Sequence, residues 1–183
     1  MRHHLLLAAL VLAFVVPARG PAYSADAGSV DGVIQLKKKG LLGTSSASDK
    51  SGVVVHLEGV PGAPSVKQAT PAVRQRDKAF TPRVVAVARG GQVDFPNDDK
   101  IFHNVFSLSS LAKFDLGLYQ SGSSKAVTFD RLGLVDIYCN IHPEMVSAVR
   151  VLDSPWFATT DKDGKFHIAE VPPGTWSVTV YPP

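Results

Sequence analysis

The segment 139–145, Cys-Asn-Ile-His-Pro-Glu-Met, is the sequence feature that most constrains the fold of this chain. It places a thiol, an imidazole and a thioether within seven residues, and Cys139 is the single cysteine. Cys139 closes the predicted strand 134–138, and Met145 opens the returning strand 146–152. The chain must therefore turn back sharply between two strands. A second imidazole, His103, lies at the end of an earlier apolar run.

Two imidazoles, a thiolate and a thioether are the donor set of a mononuclear blue-copper site, in which two His and one Cys form a plane and a Met binds weakly along the axis. Soft sulfur donors suit copper, whereas a closed structural zinc site would favour further Cys or His. Pro143 stiffens the turn because its ring fixes φ, and it keeps His142 out of a helical conformation. A short loop between strands also limits movement when a metal changes charge.

Cys139 has a simpler alternative role as a small buried hydrophobe. However, a single cysteine cannot form an internal disulfide, and an odd cysteine in an exported protein needs an explanation. The presence of His142 and Met145 close by, and of His103 earlier in the chain, favours metal ligation.

Residues 1–24 are predicted to be a secretory signal peptide. A polar start with Arg2 precedes an apolar run, residues 5–16, that is too short for a comfortable membrane span. Small residues before Ala25 predict cleavage there, and the alternative is an uncleaved anchor. We therefore expect a periplasmic or secreted protein without a transmembrane segment after cleavage.

The charge pattern does not indicate a polyanionic partner. The formal charge of +3 includes Arg2 and Arg19 of the predicted leader and falls to +1 without them. Nucleic acid is therefore not expected as a partner. A Ser-x-x-Lys match at residues 110–113 lacks its companion motifs and is ascribed to chance, and neither Gly-x-Ser-x-Gly nor His-Glu-x-x-His is present. The chain is not expected to be an enzyme.

Short Val-rich runs with single aromatic residues, separated by Gly and Pro, are typical of an all-β sandwich. A first pair of strands is predicted within residues 28–58, before a linker rich in Gly and Pro. Asp163-Gly164 is a hairpin signal in the tail. The segment 114–124 is expected to be a long loop that could include a short turn of helix.

Several stretches make the chain resemble the cupredoxins, which include plastocyanin, pseudoazurin and amicyanin. The Cys-x-x-His-x-x-Met loop, preceded by a strand that ends in His-Asn-Val, carries the resemblance, and the loop length is most similar to that of amicyanin. The chain is more similar still to periplasmic cupredoxin-like methylamine-utilisation proteins. The shared stretches are Phe80-Thr81-Pro82, Val93-Asp94-Phe95-Pro96-Asn97, His103-Asn104-Val105-Phe106-Ser107, Phe114-Asp115-Leu116-Gly117, Cys139-Asn140-Ile141-His142-Pro143-Glu144-Met145 and Val171-Pro172-Pro173-Gly174.

This resemblance implies a type 1 site for one copper ion per chain, with the ligands His103, Cys139, His142 and, on the axis, Met145. A backbone oxygen or a Gln can take the axial position in such sites, so the axial ligand stays open. The resemblance also implies that Asn104 ties the two ligand-bearing segments together by hydrogen bonds. Many cupredoxins have Thr or Ser where this chain has Asn140, so the partner of Asn104 stays open too.

In fold, the resemblance implies a Greek-key cupredoxin β-sandwich over residues 74–152. Residues 25–73 would form a strand pair and a linker, and residues 153–183 a β-hairpin segment that packs with residues 25–60. Both end segments are similar to carboxypeptidase regulatory-like modules. We therefore expect their short strands to form a small sandwich, with the cupredoxin part inserted between them.

In function, the resemblance implies single-electron transfer with a redox partner protein, such as a dehydrogenase, a cytochrome or another electron carrier. His142, between Ile141 and Pro143, would offer the electron path within a weak, transient docking surface. A full plane of ligands and an axial thioether leave no good open position for a substrate. Two alternatives remain. One is copper storage, delivery or sensing without electron transfer, and the other is a structural or binding module in which copper has no functional role.

Overall fold

The structure is a computed structural model that describes residues 27–40, 43–64 and 69–183. The predicted signal peptide, residues 1–24, lies outside the described residues. Every regular element within them is a β-strand, so the predicted all-β fold class is confirmed. This part of the chain contains no helix with the length and apolar character needed to cross a bilayer.

Sixteen strands follow one another along the described part of the chain. They are β1 (Gly28–Val33), β2 (Lys37–Gly40), β3 (Gly43–Ser46), β4 (Val54–Glu58), β5 (Arg74–Arg76), β6 (Ala79–Thr81), β7 (Val84–Ala88), β8 (Gly91–Pro96), β9 (His103–Ser107), β10 (Phe114–Tyr119), β11 (Ser124–Phe129), β12 (Gly133–Tyr138), β13 (Val146–Leu152), β14 (Phe157–Thr159), β15 (Lys165–Val171) and β16 (Ser177–Tyr181).

Strands β5–β13 form what we call the central sandwich. One of its sheets has the order β10-β9-β12-β13-β7, in which only β13 and β7 run parallel. A second sheet of β8 and β11 packs against it. Buried and exposed residues alternate along β12, as expected for a strand with one face in the core and the other in water.

The apolar side chains between these two sheets form one buried cluster. Phe95 of β8 and Phe129 of β11 are fully buried and belong to the same cluster as Ile137 of β12. Cys139 and Met145 are buried members of this cluster as well. The two sulfur-bearing side chains are therefore part of the core and shielded from water.

The two ends of the described chain pair with each other in what we call the terminal sheets, β1-β15 and β14-β4-β16. β1 runs antiparallel to β15, and β4 lies between β14 and β16. Leu57, Trp156 and Ile168 are buried together in one cluster that both sheets contribute to. The chain passes from β4 into the central sandwich and returns from it to β14.

A smaller cluster joins the terminal sheets to the central sandwich. Val54 of β4 packs with Ala86 of β7 and Leu152 of β13. The guanidinium carbon of Arg150 in β13 lies 4.4 Å from the centre of the Tyr181 ring in β16, which is a cation–π contact. Apolar packing and a charge–ring contact therefore both cross this junction.

The segment 114–124, expected to be a loop, instead contains the strand β10, which pairs with β9. The register of this pair shifts between Asp115 and Leu118, and Gly117 lies there with a φ of 64°. Such a bulge breaks the alternation of apolar and polar residues, which is the signal that identifies a strand in a sequence.

Candidate metal centre

The loop between β12 and β13 turns back over four residues. The carbonyl oxygen of His142 accepts a hydrogen bond from the N–H of Met145 at 3.0 Å, and Pro143 and Glu144 are the two central residues of this turn. Proline is favoured at the first central position because its ring fixes the φ that the turn requires. The turn therefore sets His142 and Met145 at fixed positions relative to Cys139.

His103 comes to the same place from a different strand. It is the first residue of β9, and β9 lies beside β12 in the sheet. The register is set by the pair of Phe106 with Tyr138, the residue that precedes Cys139. Sheet pairing thus carries His103 to the end of β12 where the loop begins.

Three donor atoms converge there. The Sγ atom of Cys139 lies 4.0 Å from Nδ1 of His103 and 3.9 Å from Nδ1 of His142, and the two Nδ1 atoms are 3.1 Å apart. Among the described residues this is the one group of three or more His, Cys, Asp or Glu side chains with such spacing. His103 and Cys139 are buried, and His142 is half-buried.

The spacing of these atoms fits a single transition-metal ion. The point equidistant from all three lies about 2.1 Å from each, and zinc bonds to imidazole and thiolate in proteins are about 2.0–2.3 Å. Copper ions are of similar size, and two imidazoles with one thiolate are the planar donors of a blue-copper site. The residues present therefore fit a mononuclear copper ion.

Met145 is fully buried in the cluster that contains Cys139. Its N–H bond to His142 holds its backbone next to one of the three converging donors. The thioether is therefore placed within the core beside the loop. Its role as the axial donor stays a prediction.

Asp99 determines which nitrogen of His103 faces the cluster. Oδ2 of Asp99 lies 2.8 Å from Nε2 of His103. A carboxylate can only accept a hydrogen bond, so Nε2 carries the proton and the lone pair of Nδ1 points toward Cys139 and His142. Sequence analysis did not single out Asp99, although its position four residues before His103 was the available signal.

The carboxyl group of Asp99 is held in its ionised form. Burial by itself raises its pKa, but hydrogen bonds from the N–H of Lys78, the ring of His103 and the N–H of Asp77 outweigh that effect. The net result is a pKa below the ordinary value for aspartate. The carboxylate is therefore an acceptor at neutral pH, as the assignment of the His103 proton requires.

Asn104 links the two ligand-bearing segments. Its Oδ1 atom accepts a hydrogen bond from the N–H of Asn140 at 2.7 Å, and its Nδ2 donates to Oδ1 of Asp115 at 3.2 Å. The partner that the sequence left open is thus a backbone group, which any residue except proline supplies at position 140. The exposed side chain of Asn140 is not needed for this bond.

A second buried polar group lies in the same core. The hydroxyl of Tyr119 donates to the carbonyl oxygen of Phe95 at 2.8 Å and accepts from Nε2 of Gln75 at 2.5 Å. Burial raises the pKa of Tyr119 far above its ordinary value, the bond from Gln75 opposes this, and the nearby Cys139 adds to it. Tyr119 is therefore a neutral phenol, which sequence reasoning did not single out.

The other two described histidines lie away from the cluster. Nε2 of His56 is 3.0 Å from the hydroxyl of Ser154, and Nδ1 of His167 is 2.6 Å from Oδ1 of Asp31. Both pairs belong to the terminal sheets or the segments that flank them. They take no part in the convergence of donors.

Exposed apolar side chains neighbour the two candidate histidine ligands. Phe102 precedes His103 and is 56% exposed, and Ile141 precedes His142 and is 50% exposed. Leu118, which pairs with Asn104 across β9 and β10, is 61% exposed. The half-buried His142 is thus adjacent in sequence to an uncovered apolar side chain.

No protein-family model matches the chain, and no curated protein matches it. Solved structures similar to it include a purple cupredoxin from Nitrosopumilus maritimus, with 22% identity over 45% of this chain and 99% of that one and a TM-score of 0.41. A reduced Cu(I) form of amicyanin has 20% identity over 54% of this chain and 98% of the other, with a TM-score of 0.43.

A copper-containing nitrite reductase from Thermus scotoductus is also similar, with 23% identity over 50% of this chain and a TM-score of 0.44. The chain spans only 24% of the length of that enzyme. Cupredoxins, the family that the sequence resembles, are thus found among the similar structures. All three TM-scores lie below 0.5.

Proposed function

We propose that this protein is a type 1 copper protein that transfers single electrons between redox partners. The observation that supports this most directly is the convergence of the His103, Cys139 and His142 donor atoms at the spacing of one metal ion. In this proposal one copper ion would bind per chain, and the Met145 thioether would be its fourth donor. Copper would supply the redox chemistry by cycling between Cu(II) and Cu(I).

The residues of the chain would bind and orient the ion. Cys139 would act as a thiolate, and His103 and His142 would act as neutral imidazoles through Nδ1. Burial of His103, Cys139 and Met145 would keep water away from the metal. The bond between Asn104 and the N–H of Asn140 would hold the two segments at a constant separation, which limits movement when the charge of the ion changes.

Electron exchange would take place through the half-buried ring of His142. The neighbouring apolar side chains Ile141, Phe102 and Leu118 are exposed and suit a small, transient interface. The partner would be a redox protein such as a dehydrogenase, a cytochrome or another electron carrier. Three ligands and a thioether would leave no good open position for a substrate, so we propose a carrier and not an enzyme.

The remaining predictions concern location and domain organisation. We propose that residues 1–24 are removed as a signal peptide and that the mature protein is periplasmic or secreted. We also propose that residues 74–152 form the copper-binding domain. The pairing of β1 with β15 and of β4 with β14 and β16 supports a separate unit built from the two ends.

The absorption spectrum after addition of Cu(II) tests the proposed site. We expect an intense thiolate-to-copper band in the visible region for the wild type and no such band for Cys139→Ser, which replaces the sulfur by a hydroxyl of similar shape. Weak colour that is indifferent to Cys139 would reject the blue-copper site.

If the band is present, the rate of electron self-exchange separates electron transfer from copper storage or delivery. A carrier requires fast exchange, because its site changes little between oxidation states. Slow exchange with a functional copper site would instead support copper handling.

A further inference from the structure

We infer that Asp99 is a positioning residue of the copper centre, which fixes the orientation of His103 and lowers the reduction potential of the bound ion. This inference rests on the proposed electron-transfer function. It starts from the 2.8 Å contact between Oδ2 of Asp99 and Nε2 of His103. The His103 side chain is fully buried and that of Asp99 is 15% exposed, so the bond is shielded from water.

The carboxylate of Asp99 is itself fixed by a tight turn. The N–H of Asp77 donates to Oδ1 and the N–H of Lys78 donates to Oδ2, both at 2.9 Å. Asp77 and Lys78 connect β5 to β6 and both have positive φ, 53° and 54°, as in the two-residue turns of hairpins. The turn of the β5–β6 hairpin thus holds the Asp99 carboxylate that orients His103, although the hairpin contributes no candidate metal ligand.

The backbone of Asp99 is anchored on its other side by Asn97. The N–H of Asp99 donates to Oδ1 of Asn97 at 3.0 Å. Asn97 is fully buried, and its Nδ2 donates to the carbonyl oxygens of Ile101 and Tyr119. Both the side chain and the backbone of Asp99 are therefore held in place. The hydrogen bond from Nε2 of His103 to Asp99 in turn fixes the orientation of the His103 ring.

The charge of Asp99 has a consequence for the metal. A carboxylate that accepts the outer N–H of a ligand histidine makes the imidazole a stronger donor. The negative charge of Asp99, placed next to a ligand histidine, also stabilises Cu(II) more than Cu(I). This electrostatic stabilisation is stronger in a buried site than in water. Loss of the charge should therefore raise the reduction potential.

The test compares Asp99→Asn with Asp98→Asn. Asp98 is the matched control because it carries the same charge one residue away and bonds to Arg74, with Nη1–Oδ2 at 2.9 Å. We expect the reduction potential of the copper-loaded protein to rise in Asp99→Asn by clearly more than in Asp98→Asn. Equal potentials for the two variants would overturn the inference.

A second measurement uses the metal-free wild type and needs no variant to fold. Nitrogen NMR of His103 should find the proton on Nε2, and a proton on Nδ1 would overturn the inference. The two ideas can fail separately. A wild type without the thiolate-to-copper band would reject the proposed function, whereas the NMR result on the metal-free protein would still decide whether His103 has the tautomer that the Asp99 contact requires.

Discussion

At the scale of single residues, Met145 has two distinct possible roles, as axial ligand and as core side chain. We expect Met145→Leu to bind copper and keep its thiolate band but to have a higher reduction potential, because a thioether donor to Cu(II) is lost. The exchange nearly conserves volume and should lower the free energy of unfolding by less than about 1.5 kcal/mol. Redox titration of the copper-loaded variant measures the change in potential.

Ile137→Leu is the matched control for this substitution. Ile137 is fully buried in the same cluster and has no donor atom, so its variant should keep the wild-type potential. If Met145→Leu also keeps that potential, Met145 is a packing residue. The axial position would then belong to another donor such as a backbone oxygen.

That His103, Cys139 and His142 come together could be predicted from the sequence, because Cys139 and His142 are close together and their chemistry is distinctive. The groups that hold them could be predicted only in part. Asp99 acts through a carboxylate fixed by two backbone N–H groups of a turn more than twenty residues earlier, and no local pattern records that contact. The resemblance implied that Asn104 ties the two segments together but left its partner open, because that partner is a backbone N–H, which any side chain at position 140 except proline would allow.

At the scale of strands and turns, regular alternation and turn residues were informative, and irregular pairing was not. Asp163-Gly164 predicted a hairpin; a turn does form there, in which the N–H of Gly164 donates to the carbonyl oxygen of Asp161 at 2.9 Å, but the hairpin does not. The strands on either side of it pair with different partners, β14 with β4 and β15 with β1. Long-range partners of this kind depend on the whole fold, so the local signal could not identify them.

Gly164 offers a test of how closely the two ends of the chain approach. Its φ is 85°, and a Cβ added there would lie 2.2 Å from the carbonyl oxygen of Ile34, whose N–H donates to the carbonyl oxygen of Gly164. We expect Gly164→Ala to displace this backbone contact. The free energy of unfolding should fall by about 1–2 kcal/mol because alanine is strained in the left-handed conformation. The clash with Ile34 should lower it by about 1–3 kcal/mol more.

Gly122→Ala is the control for the conformational part of this cost. Gly122 has a similar φ of 76°, and no atom lies within 4 Å of a Cβ built on it. Urea unfolding should therefore find a smaller loss in Gly122→Ala than in Gly164→Ala. Equal losses would mean that Ile34 does not approach Gly164 as closely as described.

At the scale of the whole molecule, the central sandwich and the terminal sheets share the cluster of Val54, Ala86 and Leu152. Removing a large buried side chain there costs about 2–5 kcal/mol. Because the cluster belongs to both parts, we expect the two parts to unfold as one cooperative unit. Leu152→Ala should then lower the stability of both parts by the same amount.

The chain provides a separate probe for each part. Both tryptophans, Trp156 and Trp176, lie in or against the cluster of the terminal sheets, and the single cysteine, Cys139, is buried in the central sandwich. In the metal-free protein, Trp fluorescence and the reactivity of the Cys139 thiol should therefore follow the same transition in urea. In Leu152→Ala both transitions should move together to lower urea.

Ile168→Ala decides whether this coupling is general or confined to the junction. Ile168 is buried only in the cluster of the terminal sheets, so Ile168→Ala directly destabilises the part of the molecule whose unfolding Trp fluorescence reports. If the molecule is one cooperative unit, the thiol transition must move by the same amount although Cys139 belongs to a different cluster. A fluorescence transition that moves while the thiol transition stays fixed would instead establish two independently stable units, with the proposed copper site able to fold without the terminal sheets.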